Sequence, residues 1–278
     1  MPRSLASSLE GGPSGRRPSR ARSLALGLAI GLALASTSAP PPTLANDLRV
    51  PSSSPRNGAL GMLQPHTGSL LIDYYEAYLR DQDIDAFRRN VSARYNEGTL
   101  TRLLQARDVQ SRRAAILALG LFGGFGCNAA LARTLRDTDP TVRTLADNAL
   151  WAIWFRADSQ ENNDALEKIH NLIGRGRLRE AIEQADRLIA QAPTFAEAHN
   201  QRAIAHYFQG RFAESVEDCK NVLILNPYHT GALSGMGQCQ LRLGLRDDAL
   251  KTFRRALEIQ PYSENLREIV AELGAGDR

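Results

Sequence analysis

The sequence predicts an all-α fold, an α-solenoid of antiparallel helix pairs, and three observations predict it. Three prolines fall 34 residues apart, at Pro193, Pro227 and Pro261, and three glycines do the same, at Gly176, Gly210 and Gly244. Two upstream segments, beginning at Asp108 and Asp139, align with each other at a spacing of 31. From Ser69 onward the apolar pattern keeps helical periodicity and no run alternates at period two, so no sheet is expected.

The chain has 278 residues, 34 basic and 30 acidic, for a net charge of +4. With 43% hydrophobic and 23% charged residues, the disordered, collagen-like and disulfide-scaffold classes are excluded. Residues 1–22 hold five Arg and one Glu, and an uncharged stretch follows whose apolar core, Leu24–Ala35, is twelve residues long. A helix crossing a bilayer needs about 20 apolar residues, so this core is short for a span. A basic start, a short apolar core and small-residue exits at Ala33-Leu34-Ala35 and Thr43-Leu44-Ala45 predict a signal peptide over residues 1–45. The protein is then expected to be exported, to the periplasm or cell envelope. An uncleaved membrane anchor and an organelle transit peptide are the alternatives the same pattern allows. Arg16-Arg17 is followed by Pro18-Ser19, which departs from a twin-arginine signal. Removing the leader takes away five basic residues and one acidic one, leaving 29 against 29. The basic excess that would suggest a nucleic-acid partner therefore belongs to the leader. Membrane contact is expected only if the leader stays.

Residues 46–68 are rich in Pro, Gly, Ser and Asn and read as a flexible linker. Residues 69–95 read as two helices, with Leu71, Tyr74, Tyr75 and Tyr78 on one face, capping an array that spans 69–160. In that array Asp108, Arg112, Ala115, Ala118 and Leu119 match Asp139, Arg143, Ala146, Ala149 and Leu150. An Asp at the helix start, an Arg four residues on and an Ala/Leu stripe resemble the HEAT-type helical repeat. Between the two copies, Gly120–Gly126 lack the preceding strand and following Gly-Lys-Ser/Thr of a phosphate loop. They predict a turn with Leu121, Phe122 and Phe125 packed inward. Trp151, Trp154 and Phe155 fall where this array meets the next region, and are expected to fill the junction.

Residues 161–278 carry the most specific pattern. In the units 162–195, 196–229 and 230–263, glycine stands at position 15 and proline at position 32. Positions 20, 24 and 27 are small or apolar: Ala181, Ala185 and Leu188, then Ser215, Cys219 and Val222, then Ala249, Phe253 and Ala256. This resembles the tetratricopeptide repeat, matched three times in register, with Glu264–Leu273 as a capping helix. The resemblance implies a protein or peptide partner held on a concave groove by the first helix of each unit. The groove positions hold Leu166, His170 and Ile173, then Asn200, Ile204, Tyr207 and Phe208, then Ser234, Gln238, Leu241 and Arg242. Tyr207 and Asn200 are the preferred contacts; the alternative is that Tyr207 and Phe208 pack on a neighbouring helix. Family members that grip a carboxylate resemble one another in carrying Lys, Asn, Asn, Lys and Arg, where this chain has Leu166, His170, Gln201, Gly231 and Gly235. All five depart, and that clamp is not expected.

The five histidines are His66, His170, His199, His206 and His229, and no HExxH or Cys/His cluster accompanies them. His199 and His206 are expected to pack between helices, and neither a metal nor a cofactor is expected. Cys127, Cys219 and Cys239 include no CxxC. A Cys219–Cys239 disulfide and two small buried thiols are both compatible with neighbouring helices. No catalytic arrangement is recognisable. The expected function is a non-enzymatic scaffold or assembly factor; a hydrolase without a local signature is the remaining enzyme reading.

Overall fold

The computed structural model describes residues 69–275, and the expected signal peptide and linker lie outside them. The described residues form thirteen α-helices and no strand. Helices α1 (Leu70–Asp81), α2 (Ile84–Ser92), α3 (Glu97–Leu103), α4 (Val109–Phe122), α5 (Asn128–Thr134) and α6 (Pro140–Phe155) come first. They are followed by α7 (Gln160–Gly174), α8 (Leu178–Gln191), α9 (Ala196–Phe208), α10 (Phe212–Leu225), α11 (Thr230–Arg242), α12 (Arg246–Ile259) and α13 (Glu264–Ala275).

The first six helices begin mostly on polar caps. Asp83, Asn96, Asp108 and Asp139 each accept the backbone N–H three residues on, at 2.7–2.8 Å, which satisfies one orphan donor of a helix start. The aligned arginines also behave alike. Arg112 donates to the carbonyls of Ala106 and Arg107, and Arg143 to those of Asp137 and Thr138. Each thereby ties the turn ahead of its helix. Tyr75, Tyr78 and Phe87 close the outer end of this region as a ring cluster with centroids 5.9–6.4 Å apart.

From α7 onward the turns are made differently. Helices α7, α9 and α11 are each followed, two residues on, by a glycine with left-handed φ: 71° at Gly176, 76° at Gly210 and 76° at Gly244. The N–H of the next residue reaches back five residues, Arg177 to Leu172, Arg211 to His206 and Leu245 to Gln240, at 2.8–2.9 Å. This closure needs a residue that adopts left-handed φ without strain, which is the reason for glycine. Helices α8, α10 and α12 stop two residues ahead of Pro193, Pro227 and Pro261, as the steric demand of proline on its predecessor dictates. Helix α13 buries Leu266, Ile269 and Leu273 against the last pair and closes its apolar face.

One feature departs from a head-to-tail stack. Helices α5 and α6 touch the chain after α10 and after α12 as well as adjoining α7. Gln260 donates to Asp147 at 3.0 Å, Arg136 donates to the Glu258 carbonyl, and Arg143 lies 4.3 Å from the Tyr262 ring centre. Tyr228 and Ile259 pack against the core of the N-terminal helices. The junction aromatics therefore serve a longer seam than the expected contact with the first following helix pair.

Candidate functional site

Helices α7, α9 and α11 lie beside one another and carry all the groove positions named from the sequence. Helix α6 lies over the starts of α9 and α11 and, on α7, over His170. Trp154, only 2% exposed, stacks on the His229 ring at 4.1 Å between centres and 20° between planes. Trp151 meets the same ring edge-on at 5.4 Å, and Phe155 meets His170 edge-on at 5.5 Å. A Cβ on Gly231 would lie 2.8 Å from the Trp151 ring, so that position is glycine because an indole occupies the space.

Beneath the indoles sits a polar cluster that spacing did not reveal. Glu197 is fully enclosed, and its Oε1 accepts from Asn200 Nδ2 and Gln201 Nε2, both at 2.8 Å. Its Oε2 lies 2.9 Å from His229 Nε2. His229 Nδ1 accepts the Ala232 N–H at 3.0 Å, capping α11, so the proton resides on Nε2 and points at Glu197. On the other side, Trp154 donates its indole N–H to Asn128, which donates in turn to Asn226, each at 2.8 Å. The only sequence signal was the pair of tryptophans; nothing local connects Asn128 to Asn226.

Several expectations need correction. Leu166 and Ile173 are core residues and offer no groove surface, because the apolar stripe of α7 turns toward α8 and α9. Asn200, a preferred contact, is buried and spends its amide on Glu197. Phe125 is 39% exposed rather than packed inward, because the turn tightens into a short 3₁₀ segment at Phe125–Cys127. All three cysteines are free buried thiols, so the disulfide is not formed. Burial pushes Cys127 up to about 11 and raises Cys219 and Cys239 as well, which keeps them protonated and unreactive.

His199 and His206 are buried and flank Asp218, at 3.9 and 3.8 Å. Arg202 grips the same carboxylate through two bonds of 2.9 and 2.6 Å. Burial opposes ionisation of Asp218, but the nearby His199 ring and the two Arg202 bonds outweigh it and hold its pKa below the ordinary value. Burial lowers His206. Among the described residues no group of three or more His, Cys, Asp or Glu could hold a metal ion.

The C-terminal ends of α9 and α11 remain accessible. Phe208 is 45% exposed and Arg242 is exposed, while His170, Ile204, Tyr207, Ser234, Gln238 and Leu241 are half-buried. Tyr207 sits edge-on to Phe208 at 5.8 Å and to Phe212 at 5.5 Å, and the Arg242 guanidinium stands 5.8 Å from the Phe212 ring centre. Burial raises the Tyr207 phenol, opposed by the nearby Arg242 charge, and its enclosed hydroxyl has no hydrogen-bond partner at good geometry. The platform is aromatic, with one cation and an amide at Gln238.

Paired helices, left-handed glycine turns and a row of first helices with an exposed aromatic face define a helical-repeat protein. Tetratricopeptide repeat models match residues 166–230 and 207–273. A TPR repeat-containing protein of Rhizobium etli is 31% identical over 146 residues, covering 51% of this chain and 72% of that protein. The chain belongs to the tetratricopeptide repeat family. It is also 27% identical over 167 residues to the Protein CTR9 homolog of Arabidopsis thaliana, covering 59% of this chain and 15% of that much longer protein. Among solved structures, the first TPR of Spaghetti (RPAP3) bound to an HSP90 peptide is 25% identical with a TM-score of 0.41, covering 43% of this chain and 94% of that one. A thermophilic TPR protein of Thermus thermophilus is 20% identical with a TM-score of 0.34, covering 74% of this chain and 96% of that one.

Proposed function

We propose that this protein is a non-catalytic scaffold that binds a protein or peptide partner across the exposed half of its first-helix row, outside the cytoplasm. The carrying observation is the platform of Tyr207, Phe208, Phe212 and Arg242, with Phe208 45% exposed beside an exposed guanidinium. Aromatic and arginine side chains are the groups that anchor interfaces, the aromatics because they bury much area with few rotors to freeze and arginine because its planar fork stacks and donates several hydrogen bonds. Gln238, one helical turn before Arg242, adds a donor and an acceptor for a peptide backbone. Three 34-residue units after a HEAT-like segment suit this role, since repeat arrays present long continuous surfaces. The Arg-rich start and short apolar core of residues 1–45 support export.

Two experiments test the reading. Affinity capture from envelope extracts compares wild type with Phe208→Ala/Arg242→Ala; a specific partner should be lost by the variant, and identical recovery defeats the platform. Mass spectrometry of the mature N-terminus should find a start near Ser36 or Asn46. An intact Met1 or Pro2 overturns cleavage and turns the protein into a membrane-anchored scaffold.

A further inference from the structure

The three glycine turns share one backbone and differ in what they present. Each is closed by a hydrogen bond that reaches back five residues, and they fall on one edge of the repeats. From the third turn, Arg242 stands over the Phe212 ring of the second, and Arg246 donates to the Glu272 and Leu273 carbonyls at the end of α13. The residues on either side of the glycine are Arg175 and Arg177, then Gln209 and Arg211, then Leu243 and Leu245. One position further on, Leu178 and Phe212 are half-buried against their own helix pairs, whereas Arg246 is exposed. The third turn reverses the polarity of the other two. Leu243 is 42% exposed and Leu245 46%. A Cβ on Gly244 would meet no atom within 4 Å, so the tip stands clear of the fold. Arg242-Leu243-Gly244-Leu245-Arg246 is a preformed apolar tip with an exposed guanidinium on each side.

Shape, size and charge together select the occupant. A ligand or peptide side chain is held by a concave surface, and this tip is convex. A second copy would need about 1,200 Å² of buried surface for a stable interface, far more than two leucines supply. A bilayer needs only a few apolar side chains at the acyl boundary, with neighbouring cations kept at headgroup level. Along this edge Arg177 is paired with Glu180, Arg211 with Glu214 and Lys251 with Asp248. Among the described residues, the exposed Arg175, Arg179, Arg242 and Arg246 form no ion pair, against Asp247 and Glu272 on the acidic side. That surplus complements anionic headgroups. We propose that the Leu243–Leu245 tip docks on an anionic bilayer surface, with both leucines at the acyl boundary and Arg242 and Arg246 facing lipid phosphates. Among the described residues no helix is long and apolar enough to cross a membrane, so the contact is peripheral, and it uses no part of the leader.

The test uses the full chain with Leu245→Cys carrying an environment-sensitive NBD label, the three native thiols being buried. Ile224→Cys, at a 78% exposed position on α10, carries the same label as control. Vesicles are phosphatidylcholine alone or with about one-third phosphatidylglycerol, and doxyl lipid is the quencher. The label at 245 should be quenched on phosphatidylglycerol vesicles and about tenfold less on phosphatidylcholine alone, and raised salt should weaken the effect. The label at 224 should stay in water on both. Within the labelled chain, Leu243→Asp should remove the quenching, and Arg242→Gln should weaken vesicle binding by the tip about fivefold. No quenching at 245 overturns the proposal. Equal quenching at 245 and 224 overturns it as well, because the chain then adheres without a preferred face. Equal quenching on both lipid mixtures removes the anionic surface. A label at 245 that responds to envelope proteins and not to vesicles assigns the tip to a protein partner instead. The capture experiment reads a protein partner without lipid and this one reads lipid without a partner, so either can fail alone.

Discussion

The two ends of the first-helix row share one repeat pattern and have opposite fates. Phe155 covers His170 on α7, and at the N-terminal ends of α9 and α11 Trp151 and Trp154 form a roof with Glu197 and His229 sealed below. At their C-terminal ends the same helices expose Phe208 and Arg242. A face that repeat position alone would treat as uniform is divided by a helix arriving from another part of the chain. Burial and hydrogen bonding govern the first end, and accessibility governs the second.

The sharpest way to break this contrast is Trp154→Ala. It removes a buried ring, uncaps the Asn128 bond and unstacks His229, and should cost about 3–5 kcal/mol in urea unfolding. An unchanged midpoint would show that the roof contributes nothing. A smaller effect separates two glycines on α11. Gly231→Ala would drive a methyl into the Trp151 ring and should cost about 1–3 kcal/mol. Gly235→Ala meets nothing nearer than Cys219 Sγ at 3.9 Å and should be neutral or stabilising by up to about 1 kcal/mol, as a helix interior prefers alanine. Equal losses at both positions would remove the close approach as the explanation.

Acidic groups on the two sides should give pH slopes of opposite sign. Burial at the seam raises Asp147, with the Gln260 bond only partly offsetting it. The folded state then holds that proton more tightly, so its contribution to stability is present at low pH and is lost as pH rises from the unfolded value of 3.8 through the raised one. Asp218, held low by His199 and Arg202 against its burial, contributes above the unfolded value and loses that contribution as pH falls. Unfolding midpoints across pH 2–8 should therefore rise for Asp147→Asn relative to wild type toward neutral pH. In Asp218→Asn the acid-side decline should flatten. Matching slopes in both variants would contradict the assignment. The smallest expected effect on stability is at the platform. Phe208→Ala should move the midpoint by no more than about 0.5 kcal/mol, as an exposed side chain away from caps and cores does. A larger loss would make Phe208 a packing residue.

Much of this architecture was legible because it depends on local backbone chemistry. Gly176, Gly210 and Gly244 announce left-handed turns, Asp108 and Asp139 announce helix starts, and Leu266, Ile269 and Leu273 announce a capping face. The candidate site was legible in part. Tyr207, Phe208, Gln238 and Arg242 lie on the accessible face, whereas Leu166, Ile173 and Asn200 are enclosed. A period of 34 assigns equivalent positions, but it carries no record of what packs over them.

By itself, then, the sequence determined the helical class, the turns between paired helices and the family, since φ preferences, caps and apolar periodicity act between residues a few positions apart. Which part of the repeated face stays open was decided only by the tertiary structure. Trp154 and His229, or Asn128 and Asn226, are distant in the chain and meet through the docking of α6. Burial and hydrogen-bond satisfaction depend on that docking, and they make one end of the first-helix row a sealed polar cluster and leave the other an exposed platform.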